Sequence, residues 1–320
     1  MVCPIAICGA TATGKTSLAI RLAGEFGGEI IGCDSMQIYR GMDIGTAKPT
    51  ASELDAVPHH MIDILEPTEP YSAMQYKESA EAAMEDIISR GRTPILCGGT
   101  GLYLDAVVYD NKYSDGGDGT DTVRAELMRY AEEHGKDALY ERLREIDPES
   151  ADAIHPNNVR RVARAIEIYE LTGRRKSEWD AESRPRGRRR ITVIGLRFSD
   201  RELHREAIRR RCREMIEAGI VDEARRLYES GALDSGMPAS QAIGYKEFLP
   251  YLAGEETLDE AEMRLFYATC RYAKRQATWF YKKDYISWLE VDGVYTKSES
   301  AEALCRRAAE LCRKRSHTED

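Results

Sequence analysis

The sequence has no long hydrophobic run and no cysteine pair spaced for a zinc ribbon. No apolar stretch approaches the ~20 residues that a membrane-spanning helix needs, and the N-terminus enters a strand-like segment without a basic and apolar leader. The 8 cysteines include no C-x-x-C pair, which argues against a zinc ribbon. We therefore expect reduced thiols, no contact with a membrane and a cytoplasmic location.

An excess of positive charge is also missing. The formal net charge of -9 argues against indiscriminate binding to polyanions. Basic residues nevertheless cluster at 184–190, 209–213 and 271–283. A single run of this kind is more often a solvated surface, but three runs in an acidic chain predict a basic face. The composition therefore allows a nucleic acid as a partner.

The most specific motif present is G-x-x-x-x-G-K-[ST], which lies between an apolar run and a helical pattern, as this motif requires. Its residues are Gly9, Ala10, Thr11, Ala12, Thr13, Gly14, Lys15 and Thr16. The glycines let backbone N–H groups point inward, and the helix that follows adds its positive end, so the loop forms a nest for phosphate. Lys15 adds a point charge and Thr16 a hydroxyl for Mg²⁺. The loop predicts a bound diphosphate or polyphosphate and leaves the chemistry open.

Strand-like and helical segments alternate over the first hundred residues. Apolar runs at 5–8, 29–33 and 94–97 are separated by helical patterns, one of which is capped by Ser72 and stopped by Gly91. Alternation predicts a parallel sheet whose functional loops lie at the carboxyl ends of its strands. We therefore expect loops 9–16, 34–37 and 98–101 to converge on one crevice.

Composition divides the chain into an α/β core and a helical insertion. A polar, glycine-rich link at 110–119 and a second polar stretch at 173–190 bracket a wholly helical pattern. This predicts a core at 1–110 and 191–320 and an insertion at 111–190. The fold class is thus α/β, a P-loop NTPase-like parallel sheet flanked by helices, with an inserted all-helical domain.

Helical periodicity also predicts which side chains face inward. In the last insertion helix, Val162 and Ile166 should point inward with Val159, and Glu167 should point outward with Arg160 and Arg164. Beyond a strand at 191–196, we expect helices at about 200–230, 239–253 and 258–283. The last of these should begin at Asp259 and carry a basic stripe beside an apolar one.

One acidic residue stands at a strand end near the P-loop. Kinases and NTPases hold Mg²⁺ with a carboxylate at the end of a neighbouring strand, but the run 97–100 contains none. Asp34 remains, as a metal ligand, a general base or a turn residue. A P-loop kinase for a nucleotide or small metabolite therefore stays an alternative, as does a non-catalytic RNA-binding protein that uses a nucleotide as a switch.

Six blocks of sequence, in order from residue 9 to about 280, closely resemble the tRNA dimethylallyltransferase family. They are G-A-T-A-T-G-K-T, D-S-M-Q-I-Y-R-G-M-D-I-G-T-A-K-P, G-G-T-G-L-Y, H-P-N-N-V-R-R-V-A-R-A-I-E-I-Y-E-L-T-G, Q-A-I-G-Y-K-E and R-Y-A-K-R-Q-A-T-W-F. The resemblance implies transfer of a five-carbon group from dimethylallyl diphosphate to N6 of the adenine 3′ to the anticodon, in tRNAs that read codons beginning with U. It also implies Mg²⁺ and an insertion that grips the tRNA anticodon stem-loop. We further expect a monomer with no obligatory protein partner.

The same resemblance implies roles for particular residues. Asp34 matches the proton acceptor, Thr100 the threonine near the bridging oxygen of the diphosphate, and Arg211 a diphosphate clamp that acts with Lys15. The implied tRNA contacts are Asp34, Ser35, Met36, Gln37, Thr100, Arg124, Asn158, Val159, Arg160, Arg161, Arg164, Gln241, Ala242, Ile243, Gly244, Tyr245, Lys246, Lys274, Arg275 and Gln276. The sequence departs from the family pattern at Ala207 and Cys270, where arginines are expected. Trp279 is expected to pack in the core.

Overall fold

A computed structural model describes residues 3–109, 120–182 and 189–317. The chain divides into two compact units, one made of Met1–Val107 and Arg190–Asp320 and the other of Val108–Arg189. The polar link at 110–119 and most of the basic run 184–190 lie outside the described residues. The two units are considered separately below.

The first unit is built on a six-stranded parallel sheet with the order β3-β2-β4-β1-β5-β6. The strands are β1 (Ile5–Gly9), β2 (Gly28–Gly32), β3 (His59–His60), β4 (Thr93–Gly98), β5 (Thr192–Arg197) and β6 (Ile286–Glu290). The predicted α/β class and parallel sheet are confirmed, and β5 rejoins the sheet beside β1 as expected. Because all strands run the same way, their carboxyl ends share one edge.

The helices of the described residues surround this sheet or build the second unit. They are α1 (Lys15–Phe26), α2 (Ala51–Ala56), α3 (Ala73–Ser89), α4 (Gly101–Val108), α5 (Thr120–His134), α6 (Lys136–Ile146), α7 (Pro148–Ala153), α8 (Val159–Thr172), α9 (Lys176–Glu182), α10 (Arg201–Glu217), α11 (Ile220–Glu229), α12 (Leu249–Leu252), α13 (Leu258–Phe280), α14 (Asp292–Tyr295) and α15 (Ala301–His317). Within these ranges, no helix combines the length and hydropathy needed to cross a bilayer.

Capping chemistry explains where α3 begins and ends. The Ser72 hydroxyl accepts from the Gln75 N–H at 3.2 Å, and the Gln75 side chain accepts from the Ser72 N–H at 2.8 Å. This reciprocal pair satisfies two N–H groups that the first turn leaves open. Gly91, with φ of 70°, follows the last turn. Both predicted boundaries are confirmed.

The helix boundaries predicted after residue 200 are partly wrong. The single helix expected at 200–230 is interrupted at Gly219, whose φ of 96° breaks the helical path between α10 and α11. The helix expected at 239–253 consists of 3-10 turns at Pro238–Gln241 and Lys246–Phe248 and the short α12. Gly244, with φ of 111°, prevents a continuous helix there. α13 is capped by Thr257 together with Glu260, and it begins at Leu258 and not at Asp259 as predicted.

Two apolar clusters hold the first unit together. One packs α1 and α15 against one face of the central strands, with Leu22 and Ala308 fully buried. The other joins α10, α11 and α13 to the segment after β2, around Ile38, Met42 and Phe266. The second cluster therefore fixes α10 and α13 above the edge where the strands end.

The second unit is a helical bundle with its own core. Leu127 on α5, Leu139 and Leu143 on α6, and Val162 and Ile166 on α8 are all buried together. The inward positions predicted for α8 are confirmed at Val162 and Ile166.

Candidate active site

A cavity of about 400 Å³ lies at the carboxyl ends of the central strands. P-loop residues Thr11 and Gly14 to Thr16 line it, together with Asp34 to Gln37 from the segment after β2. Gly98 at the end of β4 and Arg211 of α10 complete this side. The three loops expected to converge therefore meet at one cavity within the first unit.

The P-loop adopts a conformation that depends on its glycines. Gly9 has φ of 143°, and a side chain there would collide with the carbonyl oxygen of Leu196 on β5. Gly14, with φ of 82°, precedes α1, and no side chain caps that helix. The first N–H groups of α1 thus have no side-chain acceptor at the helix start, and an anion can fill this role.

Lys15 is half-buried and points back into the loop, where its Nζ donates to the carbonyl oxygen of Ala10 at 2.8 Å. Burial lowers its pKa to about 8; Arg211 acts in the same direction, while Cys97 and Asp34 oppose the shift. Burial also lowers the pKa of Arg211, again against the charge of Asp34. A guanidinium stays protonated in proteins, so Arg211 keeps a positive charge beside the cradle, the phosphate nest formed by residues 9–16.

Asp34 lies directly after β2 and is half-buried. Its Oδ1 accepts from the Met36 N–H at 2.9 Å, which is the turn geometry weighed as an alternative for this residue. Its Oδ2 accepts no hydrogen bond from the described part of the chain, and the carboxylate lines the cavity. One oxygen is therefore held by the turn, and the other has no hydrogen-bond partner within the described chain.

Thr100 supports Asp34 and does not line the cavity. Its hydroxyl accepts from the Ser35 N–H at 3.0 Å and donates to the Ser35 Oγ at 3.3 Å. Its own N–H donates to the carbonyl oxygen of Cys33 at 3.1 Å. These bonds hold the backbone that carries Asp34, so the position of Thr100 differs from the direct diphosphate contact implied by the resemblance.

Gln276 is a correction to the predicted tRNA contacts. It is only 6% exposed, because its Oε1 accepts from the Thr11 N–H at 2.8 Å and its Nε2 donates to the Gly99 carbonyl at 3.1 Å. It thus joins the P-loop to the loop after β4 at the wall of the cavity, and both ends of its amide are bound to protein. Its neighbours Lys274 and Arg275 are exposed, as a phosphate contact requires.

Sequence reasoning missed His204, which binds the carbonyl oxygen of Thr11, whereas Gln276 binds its N–H. The His204 Nε2 donates to the Thr11 carbonyl oxygen at 3.0 Å. Burial lowers the pKa of His204, and the bond to a carbonyl oxygen requires that Nε2 carry the proton. Nothing in the sequence around His204, within an arginine-rich helical pattern, pointed to this contact.

The segment 241–246 divides into contacts with the cavity and contacts with the core. Gln241, Ala242 and Ile243 line the cavity, and Lys246 is exposed. Gly244 is buried, and Tyr245 is fully buried, with its hydroxyl donating to Glu223 at 2.8 Å. The direct RNA contact expected of Tyr245 is therefore wrong, because its side chain packs in the core.

Glu223 is a second residue that sequence reasoning missed. Its carboxylate is 2% exposed and accepts from the N–H groups of Ile44 at 2.9 Å and Gly45 at 3.0 Å, besides the hydroxyl of Tyr245. It therefore holds the loop after β2 that lines the cavity at Gly45. Glu223 lies beside Asp222 in a helical pattern, and nothing in that pattern predicted a buried carboxylate.

In the second unit, Glu167 is fully buried, against the expectation that it points outward. Arg124 donates to it through Nε and Nη2, both at 3.0 Å, and Arg164 donates through Nη1 at 2.5 Å. Two guanidinium groups compensate the carboxylate and permit its burial. The tRNA contacts implied for Arg124 and Arg164 thus compete with a structural ion pair.

The other tRNA contacts implied on α8 remain accessible. Asn158, Arg160 and Arg161 are exposed, and Val159 is half-buried. Within the described ranges, neither Arg160 nor Arg161 forms an ion pair. These two arginines are the cations of this helix best placed to meet phosphate.

Comparison with known proteins places this site in context. A sequence profile described as IPP transferase matches residues 37–283. The chain is 45% identical over 302 residues to a tRNA dimethylallyltransferase of Caldanaerobacter subterraneus, covering 94% of this chain and 95% of that protein. It is 47% identical over 287 residues to a tRNA dimethylallyltransferase of Geobacillus thermodenitrificans, covering 90% of each.

Solved structures agree with these sequences. The tRNA isopentenylpyrophosphate transferase of Bacillus halodurans is similar with a TM-score of 0.68 and 41% identity, covering 100% of this chain and 99% of that one. A eukaryotic dimethylallyltransferase acting on tRNA is similar with a TM-score of 0.79 and 32% identity, covering 96% of this chain and 78% of that one.

Proposed function

This chain belongs to the IPP transferase family, and from that premise we propose its reaction. It transfers a dimethylallyl group from dimethylallyl diphosphate to N6 of the adenine 3′-adjacent to the anticodon. The substrates are tRNAs that read codons beginning with U, and the products are N6-(dimethylallyl)adenosine and diphosphate. The names of its relatives support both substrates.

The observation that carries this proposal is the joint position of the phosphate nest, Arg211 and Asp34 in one cavity. The bond between the allylic carbon and the diphosphate oxygen breaks, and negative charge grows on the leaving group. P-loop N–H groups, Lys15 and Arg211 stabilise that charge. The adenine N6 forms the new bond to carbon and loses a proton, which the free oxygen of Asp34 accepts.

The residues present fit a magnesium ion that takes most of its ligands from the substrate. Within the described ranges, no group of three or more histidine, cysteine or acidic side chains could hold a metal alone. Mg²⁺ commonly keeps several waters and binds few protein ligands beside substrate phosphates, so the Thr16 hydroxyl and the diphosphate oxygens would hold it. There it would neutralise charge on the leaving diphosphate.

The target adenine must leave its stack to reach Asp34. Ser35, Met36 and Gln37 line the cavity beside it. The Gln37 Nε2 donates to the carbonyl oxygens of Thr46 and Ala47, each at 3.0 Å. Its Oε1 is thereby oriented as an acceptor that can read the donor edge of adenine. In the second unit, Arg160 and Arg161 are the side chains that we expect to bind the anticodon stem-loop.

The proposal includes action as a monomer without an obligatory protein partner. A tRNA substrate supports a cytoplasmic location. A kinase would need a further metal carboxylate, and the end of β4 supplies only Cys97, Gly98 and Gly99 before Thr100.

The test is transfer of label from dimethylallyl diphosphate to unmodified tRNA in the presence of Mg²⁺. We expect the wild-type protein and the control Asp55→Asn, which changes an exposed carboxylate on α2, to label the RNA equally. We expect Asp34→Asn to label it at least about a hundredfold more slowly, the range for loss of a general base. ATP hydrolysis without labelled RNA, or full activity of Asp34→Asn, would refute the proposal.

A further inference from the structure

A second cavity, of about 550 Å³, lies beside the P-loop. β5, α10, α13 and the residue Trp288 of β6 supply its walls, and Ala10 and Thr13 of the P-loop border it. Its volume is within the ~300–1,000 Å³ of small-molecule sites. Asp34, Lys15 and Arg211 line only the first cavity, and among the residues that line the second cavity only Lys274 is an implied tRNA contact.

Positive charge dominates the lining of this second cavity. Its cationic side chains are Arg197, Arg201, Arg205, Arg271 and Lys274, and no carboxylate is among its lining residues within the described chain. Arg197 and Arg205 pair with Glu290 and Glu202. Arg201, Arg271 and Lys274 are exposed and form no ion pair with the described ranges. Three cations from two helices are thus available for an anion.

The thiol of Cys270, in the same lining, reports how closely these charges gather. Burial raises its pKa, although four guanidinium groups act to lower it. They belong to Arg205, Arg209, Arg271 and Arg201. Water and salt screen part of the repulsion between these solvent-accessible cations, and a phosphate group suits several guanidinium donors at once.

Aromatic rings at the mouth supply the second element of recognition. Tyr281 is 54% exposed and Tyr267 is 47% exposed, although both line the cavity. Tyr281 meets Trp288 edge to face, with ring centroids 5.0 Å apart. Exposed tyrosines beside cations are the usual platform for a base joined to a phosphate.

We infer that this second cavity binds a nucleotide, with its phosphate at Arg201, Arg271 and Lys274 and its base against Tyr281 or Tyr267. The site is separate from the one that receives the target adenine. A free nucleotide and a nucleotide within an RNA strand present the same chemistry. Lys274 lines the second cavity, and its neighbour on α13, Arg275, lines the first. This adjacency favours an RNA strand that reaches both cavities.

The test compares three variants with exposed side chains. Arg271→Glu and Tyr281→Ala alter the second cavity, and Arg306→Glu makes the same charge change on α15, which lines neither cavity. Adenosine 5′-monophosphate binding is measured by equilibrium dialysis in a Lys15→Ala background, so that the P-loop cradle contributes little. Binding of unmodified tRNA is measured by filter retention with Lys15 intact, and thermal melts check that each variant is folded.

We expect Arg271→Glu to weaken one or both ligands by about tenfold, the effect of losing a charged hydrogen bond. We expect Tyr281→Ala to weaken them by at least about fivefold, as for loss of a stacked base. Weaker binding of adenosine 5′-monophosphate by the variants identifies a free nucleotide as a ligand. Weaker binding of tRNA alone identifies a nucleotide within the RNA strand. If both variants bind both ligands as Arg306→Glu does, the inference is overturned. Prenyl transfer by wild-type protein, measured separately, distinguishes this failure from failure of the proposed reaction.

Discussion

Replacing Gln276 with leucine tests whether α13 holds the phosphate cradle in shape. Leucine has a similar size, but it cannot accept from the Thr11 N–H or donate to the Gly99 carbonyl. A buried polar group left without a partner costs ~1–3 kcal/mol. Thr11 is half-buried, so water can reach part of it, and we expect a total loss of about 2–4 kcal/mol in unfolding free energy.

This loss should be visible in both stability and kinetics. A domain of this size shifts by about 2–4 °C for each kcal/mol, so Gln276→Leu should lower the midpoint of thermal unfolding by about 5–15 °C. The Michaelis constant for dimethylallyl diphosphate should rise, because the loop that carries the phosphate donors loses a support. Thr278→Ala is the matched control, since Thr278 is exposed on the same helix. A wild-type melt together with a wild-type Michaelis constant would refute the reasoning.

Three further predictions follow from other contacts. Arg124→Ala should destabilise the second unit by about 2–3 kcal/mol in urea unfolding, because the buried carboxylate of Glu167 loses one of its two cations; an unchanged midpoint would contradict the ion pair. The pKa of Lys15 is about 8, and its amine is protonated below that value. kcat/KM for the diphosphate should therefore fall as the pH rises above about 8, and Lys15→Arg should move this fall to higher pH; a fall at the same pH in both proteins would refute its assignment to Lys15. Gly98→Ala should cost about 3 kcal/mol of unfolding free energy, because a methyl group there would collide with the carbonyl of Cys33; a circular-dichroism melt matching wild type would show that the strands can separate.

Local patterns in the sequence were sufficient to predict the elements around the P-loop. The motif 9–16, the cap at Ser72 and the strand at 191–196 depend on neighbouring residues, which the sequence shows directly. β6 was not predicted, although the dipeptide Asp292-Gly293 marks a turn just beyond it. The boundaries after residue 200 were wrong where Gly219 and Gly244, with positive φ, changed the backbone path.

Contacts between distant residues were the part that the sequence could not supply. Periodicity placed Glu167 opposite the apolar face of α8, but it could not show that Arg124 and Arg164 would neutralise a buried carboxylate. Gln276 follows Tyr272 by four residues, and the apolar stripe of α13 therefore extends to it. The resemblance grouped it instead with Lys274 and Arg275, whose side chains do face outward.

The buried carboxylate of Asp105 has a consequence for the cradle, although it lies outside both cavities. It accepts from Trp279 at 3.1 Å and from Lys283 and Tyr285, each at 2.6 Å. Trp279 is half-buried and lies one helical turn beyond Gln276. Asp105 thereby sets the depth at which α13 presents Gln276 to the P-loop. A substitution of Asp105 should therefore weaken diphosphate binding without altering any group that takes part in the reaction.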